Sequence, residues 1–210
     1  MLIASNRPIT VEAAESISDT FTEVIAAPGF DEGAREILLG KTNLRLLELP
    51  EGYRRARHEI RQVSGGMLVQ IPDTHFAAFG SWTLVAGDDV DDSTRADLEF
   101  AWRAVRGVKS NAILLARDEA AIGIGAGQMS RVDSVFLAVH KARQQGHEPA
   151  GSVLASDAFF PFADGVEHAV GAGVTAIIQP GGSVRDAEVV EAADKQGVAM
   201  IMTGKRQFRH

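Results

Sequence analysis

Apolar residues recur along the chain at two spacings, one typical of helices and one typical of buried strands. The longest helical pattern covers residues 91–108, where apolar side chains lie three and four residues apart. The face predicted to be buried comprises Leu98, Ala101, Trp102 and Val105. A second helix is predicted over residues 130–146, because Ser130 and Asp133 resemble a capping box. Its predicted buried face comprises Val132, Val135, Phe136 and Val139.

Shorter elements fill the rest of the chain. Four shorter helices are predicted over residues 10–21, 31–40, 165–173 and 184–197. Extended segments are predicted over residues 23–28, 43–49, 58–73 with a break at Gly65-Gly66, 81–87, 111–118, 120–125, 151–157, 174–182 and 198–204. From residue 151 onward strands and helices alternate with short connections, which is typical of a layered α/β protein with parallel strands.

The order of these elements predicts the fold class. We expect an α/β protein with layered α-β-α architecture and a mixed sheet over residues 1–210, with a subdivision into 1–90 and 91–210.

The charge of the chain argues against nucleic-acid binding. The net charge is −7 and the pI about 5.4, so the chain lacks the basic face that nucleic-acid binding requires.

The absence of cysteine narrows the chemistry further. It rules out disulfides and thiolate metal ligands. The histidines show no i, i+4 pair, so we predict no metal site. No apolar run approaches the ~18 residues that a membrane helix needs, and the first residues lack a signal-peptide pattern. We therefore expect a cytoplasmic protein without a membrane partner.

An unusual concentration of aromatic rings follows one predicted strand. Residues 156–165 read "SDAFFPFADG" and hold three of the ten phenylalanines. Ligands of open α/β sheets bind outside the carboxyl ends of the strands, where these rings are expected to lie. Two interpretations stay open. The rings either pack into the core or form a wall for a flat ligand.

Three further segments contain residues suited to ligand binding. "GIGAGQMSR" (123–131) leads from a strand into a helix, which suits either an anion site or close backbone packing. "VKSNA" (108–112) places an amide before a strand, as a ligand contact or as a simple turn. "TGKRQFRH" (203–210) follows the last strand and is either a docked or a frayed segment.

Taken in order, these segments and "IIQPGGSVRD" (177–186) resemble one family. This family comprises the bifunctional purine-biosynthesis enzymes that combine AICAR (aminoimidazole carboxamide ribonucleotide) transformylase with IMP cyclohydrolase. Weaker similarity over "EVIAAPGFDEGA" (23–34, with residue 31 unmatched) and "VSGGMLVQ" (63–70) extends the resemblance to nearly the whole chain. It implies a cytidine-deaminase-like α/β fold, and it identifies the chain as the C-terminal part of the transformylase region.

The chain also departs from the family pattern. The family's full chain is more than twice as long, and its K-H-x-N-P-C-G motif has no counterpart here, since the sequence contains neither a Lys-His pair nor a cysteine. The resemblance therefore implies a fragment or one member of a split pair that is inactive without an upstream segment. A non-catalytic binding or assembly subunit is the alternative. A zinc deaminase of the same fold is disfavoured because its cysteine ligands are missing.

The resemblance implies a role for individual residues. It gives Asn111 the catalytic role of stabilising the oxyanion, and it places Arg131, Phe159, Arg206 and Glu23 against AICAR, with Arg206 at the phosphate. The folate-binding residues that it implies are Pro161, Phe162 and Asp164. The co-substrate would be 10-formyltetrahydrofolate, and the full-length enzyme would be a homodimer.

The resemblance also implies a structural cation site. Some relatives hold potassium near the residues that match Asp157 and the end of the chain. We expect either potassium or the ammonium group of Lys109 at this place, close to Asp157 and His210, and no metal ion in the chemistry itself. A solvent-exposed Lys109 is the alternative.

Overall fold

The computed structural model describes residues 1–50, 52, 56–72 and 79–209. The chain divides into two compact units, Met1–Asp73 and Thr74–His210. The division lies at residue 73 rather than at residue 90, because the strand Thr83–Ala86 pairs with the last strand of the second unit. None of the helices within the described ranges is both long and apolar enough to span a membrane.

The first unit contains a three-stranded parallel sheet and a separate hairpin. Its elements in chain order are β1 (Leu2–Ala4), α1 (Val11–Ser18), β2 (Val24–Ala27), α2 (Glu32–Leu39), β3 (Arg45–Glu48), β4 (Glu59–Val63) and β5 (Gly66–Gln70). Thr10 caps α1, since its side-chain oxygen accepts from the amide of Ala13 at 3.3 Å. β3 is an edge strand, and Leu47 is 53% exposed.

The second unit is built on a six-stranded mixed sheet. A short 3-10 helix (Phe79–Ser81) precedes β6 (Thr83–Ala86), α3 (Asp92–Val105), β7 (Ile113–Arg117), β8 (Ala120–Gly125), α4 (Arg131–Gln144), β9 (Val153–Ser156), α5 (Asp164–Gly171), β10 (Ala176–Gln179), α6 (Asp186–Lys195) and β11 (Ala199–Met202). The strand order is β6-β11-β10-β9-β7-β8. β9, β10 and β11 are parallel, whereas β6 and β7 run antiparallel to their neighbours.

Helices cover both faces of this sheet, which confirms the layered α-β-α prediction. The side chains of β7 alternate, so that Ile113 and Leu115 face α4, α5 and α6, while Leu114 and Ala116 face α3. All four residues predicted for the buried face of α3 are buried. The hydrophobic pattern of this helix therefore predicted its orientation.

The buried face of α4 differs from the prediction because this helix lies unusually close to β8. A Cβ atom at Gly125 would lie 1.9 Å from the carbonyl oxygen of Ser134, so only glycine is tolerated there. Small side chains such as Ser134 and Ala138 face the strand, and Phe136 is 59% exposed instead of buried. Close packing therefore accounts for the glycines of β8.

The strand register brings several segments to one edge of the sheet. Ile113, at the start of β7, pairs with Ser156 at the end of β9 and with Gly125 at the end of β8. β10 and β11 are parallel to β9, so their carboxyl ends lie at the same edge. We call this the carboxyl edge, and ligands of α/β sheets bind at such an edge.

Candidate functional site

Five connecting segments meet at the carboxyl edge. They follow or precede the strands whose ends lie there, and each overlaps a segment quoted in the sequence analysis. These segments are 108–112, 126–130, 157–164, 180–185 and 203–209. The last is docked rather than frayed, since the amide of Gln207 donates to the carbonyl of Asp157 at 2.8 Å and Gln207 is buried. The register of the sheet thus assembles the predicted site residues of the second unit.

The carboxylate of Asp157 is the centre of a buried polar network. Asp157 directly follows β9 and is 0% exposed. Its Oδ2 accepts a hydrogen bond from the hydroxyl of Ser110, and its Oδ1 accepts one from the amide of Ala112 at 3.1 Å. The Nη1 of Arg131 forms an ion pair with the same Oδ1. The guanidinium of Arg131 therefore neutralises the buried negative charge, and the two hydrogen bonds from Ser110 and Ala112 stabilise it further.

Arg131 is the first residue of α4 and is only 6% exposed. Besides the ion pair, its Nη1 donates to the carbonyl of Ala112 at 3.0 Å, and its Nη2 donates to the Oδ1 of Asn111 at 3.2 Å. Within the described residues, its buried Nε has no hydrogen-bond partner. The guanidinium thus binds protein groups, and the direct contact with a substrate carboxamide stays a prediction.

Both ends of the Asn111 amide are also engaged. Its Nδ2 donates to the carbonyl oxygens of Gln128 and Met129, at 3.0 and 3.3 Å. Its own backbone carbonyl accepts from the hydroxyl of Ser134 at 2.9 Å, which fixes the segment to α4. Because Asn111 is half-buried, part of its surface faces the carboxyl edge. Hydrogen bonds therefore hold the amide of Asn111 in place, and the residue remains partly accessible at the carboxyl edge.

The hypothesis that Lys109 neutralises Asp157 is wrong. Lys109 is exposed, and Arg131 supplies the positive charge from the start of α4. The segments that Lys109 was expected to connect are joined by other groups. Ser110 donates its amide to the carbonyl of Arg209 at 2.8 Å and accepts from the amide of Arg209 at 2.9 Å through its hydroxyl. His210 lies outside the described residues.

The rings of segment 156–165 are placed in two ways: Phe160 packs into the core, whereas a ligand wall formed by the other rings stays a prediction. Phe160 is 0% exposed, and its amide donates to the side-chain oxygen of Gln179 at 3.0 Å. A Cβ atom at Gly165 would lie 2.8 Å from its ring, which shows how tightly it is packed. Phe159 is half-buried, and the guanidinium carbon of Arg206 lies 4.8 Å from its ring centroid.

The predicted folate-side residues lie at the surface of the same edge. Phe162 is 47% exposed, Pro161 is half-buried, and Asp164 is an exposed residue of the first turn of α5. The guanidinium of Arg185 covers the ring of Phe162 at 4.7 Å. Arg185 was not predicted. The sequence feature that could have indicated Arg185 is the position of "GGSVRD" directly after β10. The carboxylate of Asp186 in this motif accepts from two loop amides.

Arg206 is exposed, and its described contacts are with aromatic rings. Its guanidinium carbon lies 5.9 Å from the ring centroid of Phe208, in addition to its contact with Phe159. A Cβ atom at Gly182 would lie 3.8 Å from its Nη2, so this arginine is also close to the loop after β10. An exposed guanidinium on ring faces keeps its N–H donors available to an anion.

Glu23 lies in the first unit, just before β2. Its carboxylate pairs with the amino group of Met1 at 3.1 Å, and its side chain is 62% exposed. Its role in a site with the second unit stays a prediction. Across the described ranges, no group of three or more histidine, aspartate and glutamate side chains is arranged to hold a metal ion.

The fold and these contacts define a class of protein. The chain contains a layered α/β unit whose candidate ligand site combines a buried ion pair, an amide and aromatic rings at the carboxyl edge of a mixed sheet. The family model of the AICARFT/IMPCHase bienzyme matches residues 1–141, and the chain therefore belongs to this family. The family predicted from the sequence motifs is thereby confirmed.

Comparison with curated proteins agrees with this assignment. The whole chain is 53% identical to the bifunctional purine biosynthesis protein PurH of Cutibacterium acnes and 54% identical to that of Corynebacterium glutamicum strain R, in each case over 40% of the relative. PurH of Chloroflexus aurantiacus is 53% identical, with 41% of its length covered. The chain thus spans about 40% of the length of these relatives.

Proposed function

We propose that this chain forms part of a phosphoribosylaminoimidazolecarboxamide formyltransferase. This enzyme transfers the formyl group of 10-formyltetrahydrofolate to AICAR during the synthesis of IMP. One observation carries the proposal. The carboxyl edge places the amide of Asn111 together with the stacked pairs Phe159–Arg206 and Phe162–Arg185. An amide, two flat rings and two cations match a phosphorylated heterocycle and a pterin carrying carboxylates.

The nucleotide is assigned to the side of Phe159 and Arg206. The chain carries a net charge of −7, so a ligand with a phosphate group needs locally placed cations. Arg206 provides an exposed guanidinium whose planar donors suit a phosphate. Phe159 lies beneath it and offers a half-buried apolar contact for the aminoimidazole.

The folate co-substrate is assigned to Phe162, Pro161 and Asp164. The exposed face of Phe162 suits a flat pterin, and the carboxylate of Asp164 can accept hydrogen bonds from pterin N–H groups. Asp164 already accepts from the amide of Gly165 at 2.7 Å, which orients the carboxylate. The two ligands would then lie side by side, as transfer of a formyl group between them requires.

Asn111 has the proposed catalytic role. The amine of AICAR attacks the formyl carbon, a new C–N bond forms, and negative charge develops on the formyl oxygen before the bond to the folate nitrogen breaks. The Nδ2 of Asn111 can donate to this oxygen once it exchanges its bonds to Gln128 and Met129. The proton lost by the amine needs a base from outside this chain, since the family's Lys-His motif is absent.

Other groups are assigned to the complete enzyme. A segment upstream of these residues would supply the Lys-His motif, and a homodimer would be the complete assembly. The chemistry uses no metal ion. A potassium ion would have to bind beside the Asp157 network and not replace it, because Ser110, Ala112 and Arg131 already engage both carboxylate oxygens. If no complement restores activity, the chain is a non-catalytic ligand-binding or assembly subunit.

Complementation tests the proposal. The purified chain is assayed for formyl transfer from 10-formyltetrahydrofolate to AICAR, alone and mixed with the part of the Corynebacterium glutamicum relative outside the matched region. We expect no transfer by the chain alone and measurable transfer by the mixture. Formyl transfer by the chain alone would contradict the proposal that its site is incomplete. Cyclisation of formyl-AICAR by the chain alone would assign the chain to the cyclohydrolase instead.

A further inference from the structure

We propose that Asp157 is a positioning residue that acts through Arg131 to fix the orientation of the Asn111 amide. The inference rests on the function proposed above for Asn111. It adds that the reacting amide is held in one of its two orientations by a carboxylate that touches neither substrate. The contacts that carry it run from Asp157 to Arg131 and from Arg131 to Asn111.

The orientation of the amide follows from the chemistry of its neighbours. Rotating a carboxamide by half a turn exchanges an acceptor oxygen with a donor nitrogen of nearly equal size. The Nη2 of Arg131 can only donate, so it selects the oxygen of Asn111, at 3.2 Å. The carbonyls of Gln128 and Met129 can only accept, so they select the nitrogen. A flipped amide would place donor against donor and acceptor against acceptor.

Asp157 in turn determines where the guanidinium lies. Arg131 is 6% exposed, and a buried cation of this kind is tolerated only beside a compensating charge. The carboxylate of Asp157 supplies this charge, and it is held by the hydroxyl of Ser110 and the amide of Ala112. Without Asp157, the guanidinium would have to find water or another partner, and the bond to Asn111 would be lost with it.

The contacts form a closed ring. Ser110, Asn111 and Ala112 are consecutive, so the segment that carries the amide also supplies two of the donors that hold the carboxylate. A displacement of Asp157 therefore acts on Asn111 from two sides, through the guanidinium and through the backbone. This coupling distinguishes Asp157 from an ordinary buried ion-pair partner.

The geometry is tested without any ligand. In ¹⁵N spectra of the 210-residue chain, the side-chain NH₂ signals of Asn111 are assigned by their loss in Asn111→Ser. We expect Arg131→Lys and Asp157→Asn to shift these signals and to accelerate their exchange with water. Glu191→Gln is the matched control, since it removes a surface pair with Lys195 at 2.6 Å. Unchanged Asn111 signals in folded Arg131→Lys would overturn the proposal.

Arg131→Lys also distinguishes a lost orientation of the Asn111 amide from a general loss of stability. Lysine retains the positive charge for Asp157, so this variant is expected to fold even where Asp157→Asn does not. An ammonium group cannot reproduce the planar set of bonds to Asp157, Ala112 and Asn111. Loss of the Asn111 signature in a variant that unfolds with the wild-type midpoint would show positioning, because general destabilisation is then excluded.

Ligand binding gives an independent readout. By calorimetry, we expect Arg131→Lys and Asp157→Asn each to weaken AICAR binding about tenfold, and the double variant to be no weaker than the single ones. Losses that multiply would mean that the two residues act independently, and would overturn the coupling. If the wild-type chain binds no AICAR either alone or mixed with the complementing part of the relative, the proposed function fails, while the spectra still decide the positioning role.

Discussion

The arginines at the carboxyl edge are held in two different ways. Arg131 is buried and binds a carboxylate, a carbonyl and an amide oxygen of the protein. Arg185 and Arg206 are exposed and lie over aromatic rings at 4.7 and 4.8 Å. The first arrangement occupies most donors of the guanidinium. The second leaves the donors of Arg206 available to solvent or to an anion, whereas Nη1 of Arg185 also pairs with the carboxylate of Glu188 at 3.5 Å.

The difference shows that position at the same sheet edge does not determine what an arginine does. A buried guanidinium must be neutralised at a fixed place, so Arg131 contributes order to the site. A stacked guanidinium is held by a contact of only ~0.5–1 kcal/mol at exposed sites and can exchange partners. We therefore expect mutations of the buried arrangement to affect stability first, and mutations of the stacked one to affect ligand binding first.

The buried arrangement is broken most directly by Asp157→Ala. This variant leaves the guanidinium of Arg131 buried without its charge partner, which typically costs about 3–5 kcal/mol. We expect the free energy of unfolding in urea to fall by that amount. Glu191→Ala, which removes an exposed carboxylate from α6, is the control and should change it little. If Asp157→Ala lowered the free energy of unfolding by less than about 1 kcal/mol, the buried arrangement would not stabilise the fold as expected.

The aromatic rings of segment 156–165 allow a similar contrast. Phe160 is fully buried, so Phe160→Ala should lower the free energy of unfolding by about 3–5 kcal/mol. Phe162 is 47% exposed, and Phe162→Ala should cost less than about 1 kcal/mol. Chemical denaturation of both variants measures the difference. Equal losses would show that Phe162 belongs to the core and is not a ligand surface.

Arg206→Ala tests the stacked arrangement at the nucleotide side. Removal of a charge-assisted contact to phosphate is typically worth ~1.5–3 kcal/mol, so AICAR should bind about ten- to a hundredfold more weakly. The midpoint of thermal unfolding should not change. Arg143→Ala, at an exposed arginine in the last turn of α4, is the matched control. An equal loss of affinity for the nucleoside without phosphate would refute the assignment.

A smaller effect is expected for Arg185→Ala. The contact with Phe162 is worth ~0.5–1 kcal/mol, so binding of 10-formyltetrahydrofolate should weaken about two- to fivefold while AICAR binding is retained. Calorimetric titration with each ligand separates the two sites. Lys195→Ala, which removes an exposed cation from the same α6 region, is the control. Loss of AICAR affinity alone would place the nucleotide, and not the folate, at Phe162.

The smallest effect concerns an exposed carboxylate, for comparison with the buried Asp157. The amide of Thr94 donates to Asp91 at the start of α3 and lowers the pKa of this carboxyl below its ordinary value of 3.8. A lowered pKa stabilises the folded chain above pH 3.8, and this contribution disappears as the pH falls through the folded value. Asp91→Ala should therefore lower the thermal midpoint at pH 7. The difference from wild type should shrink below pH 3.8. A difference that is independent of pH would contradict the role of the charge.

The sequence predicted those features that depend on local patterns. The buried face of α3 follows from its apolar spacing, and the cap at Ser130 follows from a side chain that accepts from a nearby amide. The candidate site was outlined by the resemblance of five segments to one family, and the aromatic segment alone was placed at a sheet edge from the predicted strands. Five separate segments were expected to contribute, and they do lie together.

Features that depend on distant packing could not be predicted in this way. Val135 and Val139 of the predicted face of α4 are buried, but Phe136 was misassigned because the approach of the helix to Gly125 admits only small side chains. Lys109 lies two residues before Asn111 in the sequence, and Arg131 lies in the separate segment 123–131 that was also expected at the site. Only the three-dimensional course of α4 shows which cation reaches Asp157. Arg185 was missed because an arginine after a glycine pair has no distinctive local pattern.

The Asp157 network also has a consequence for the order of folding. Ser110 and Arg209 are separated by 99 positions, and Ala112 and Asp157 by 45. Ser110 and Ala112 nevertheless both donate to the carboxylate of Asp157, and the amide of Arg209 donates to the hydroxyl of Ser110. Contacts between such distant parts of a chain require the closure of long loops and form slowly. The ladder between β7 and β9 must exist before this cluster can close. We therefore expect kinetic refolding to show the sheet first and the ordered Asn111 amide last, so that a chain with native-like secondary structure is not yet able to bind.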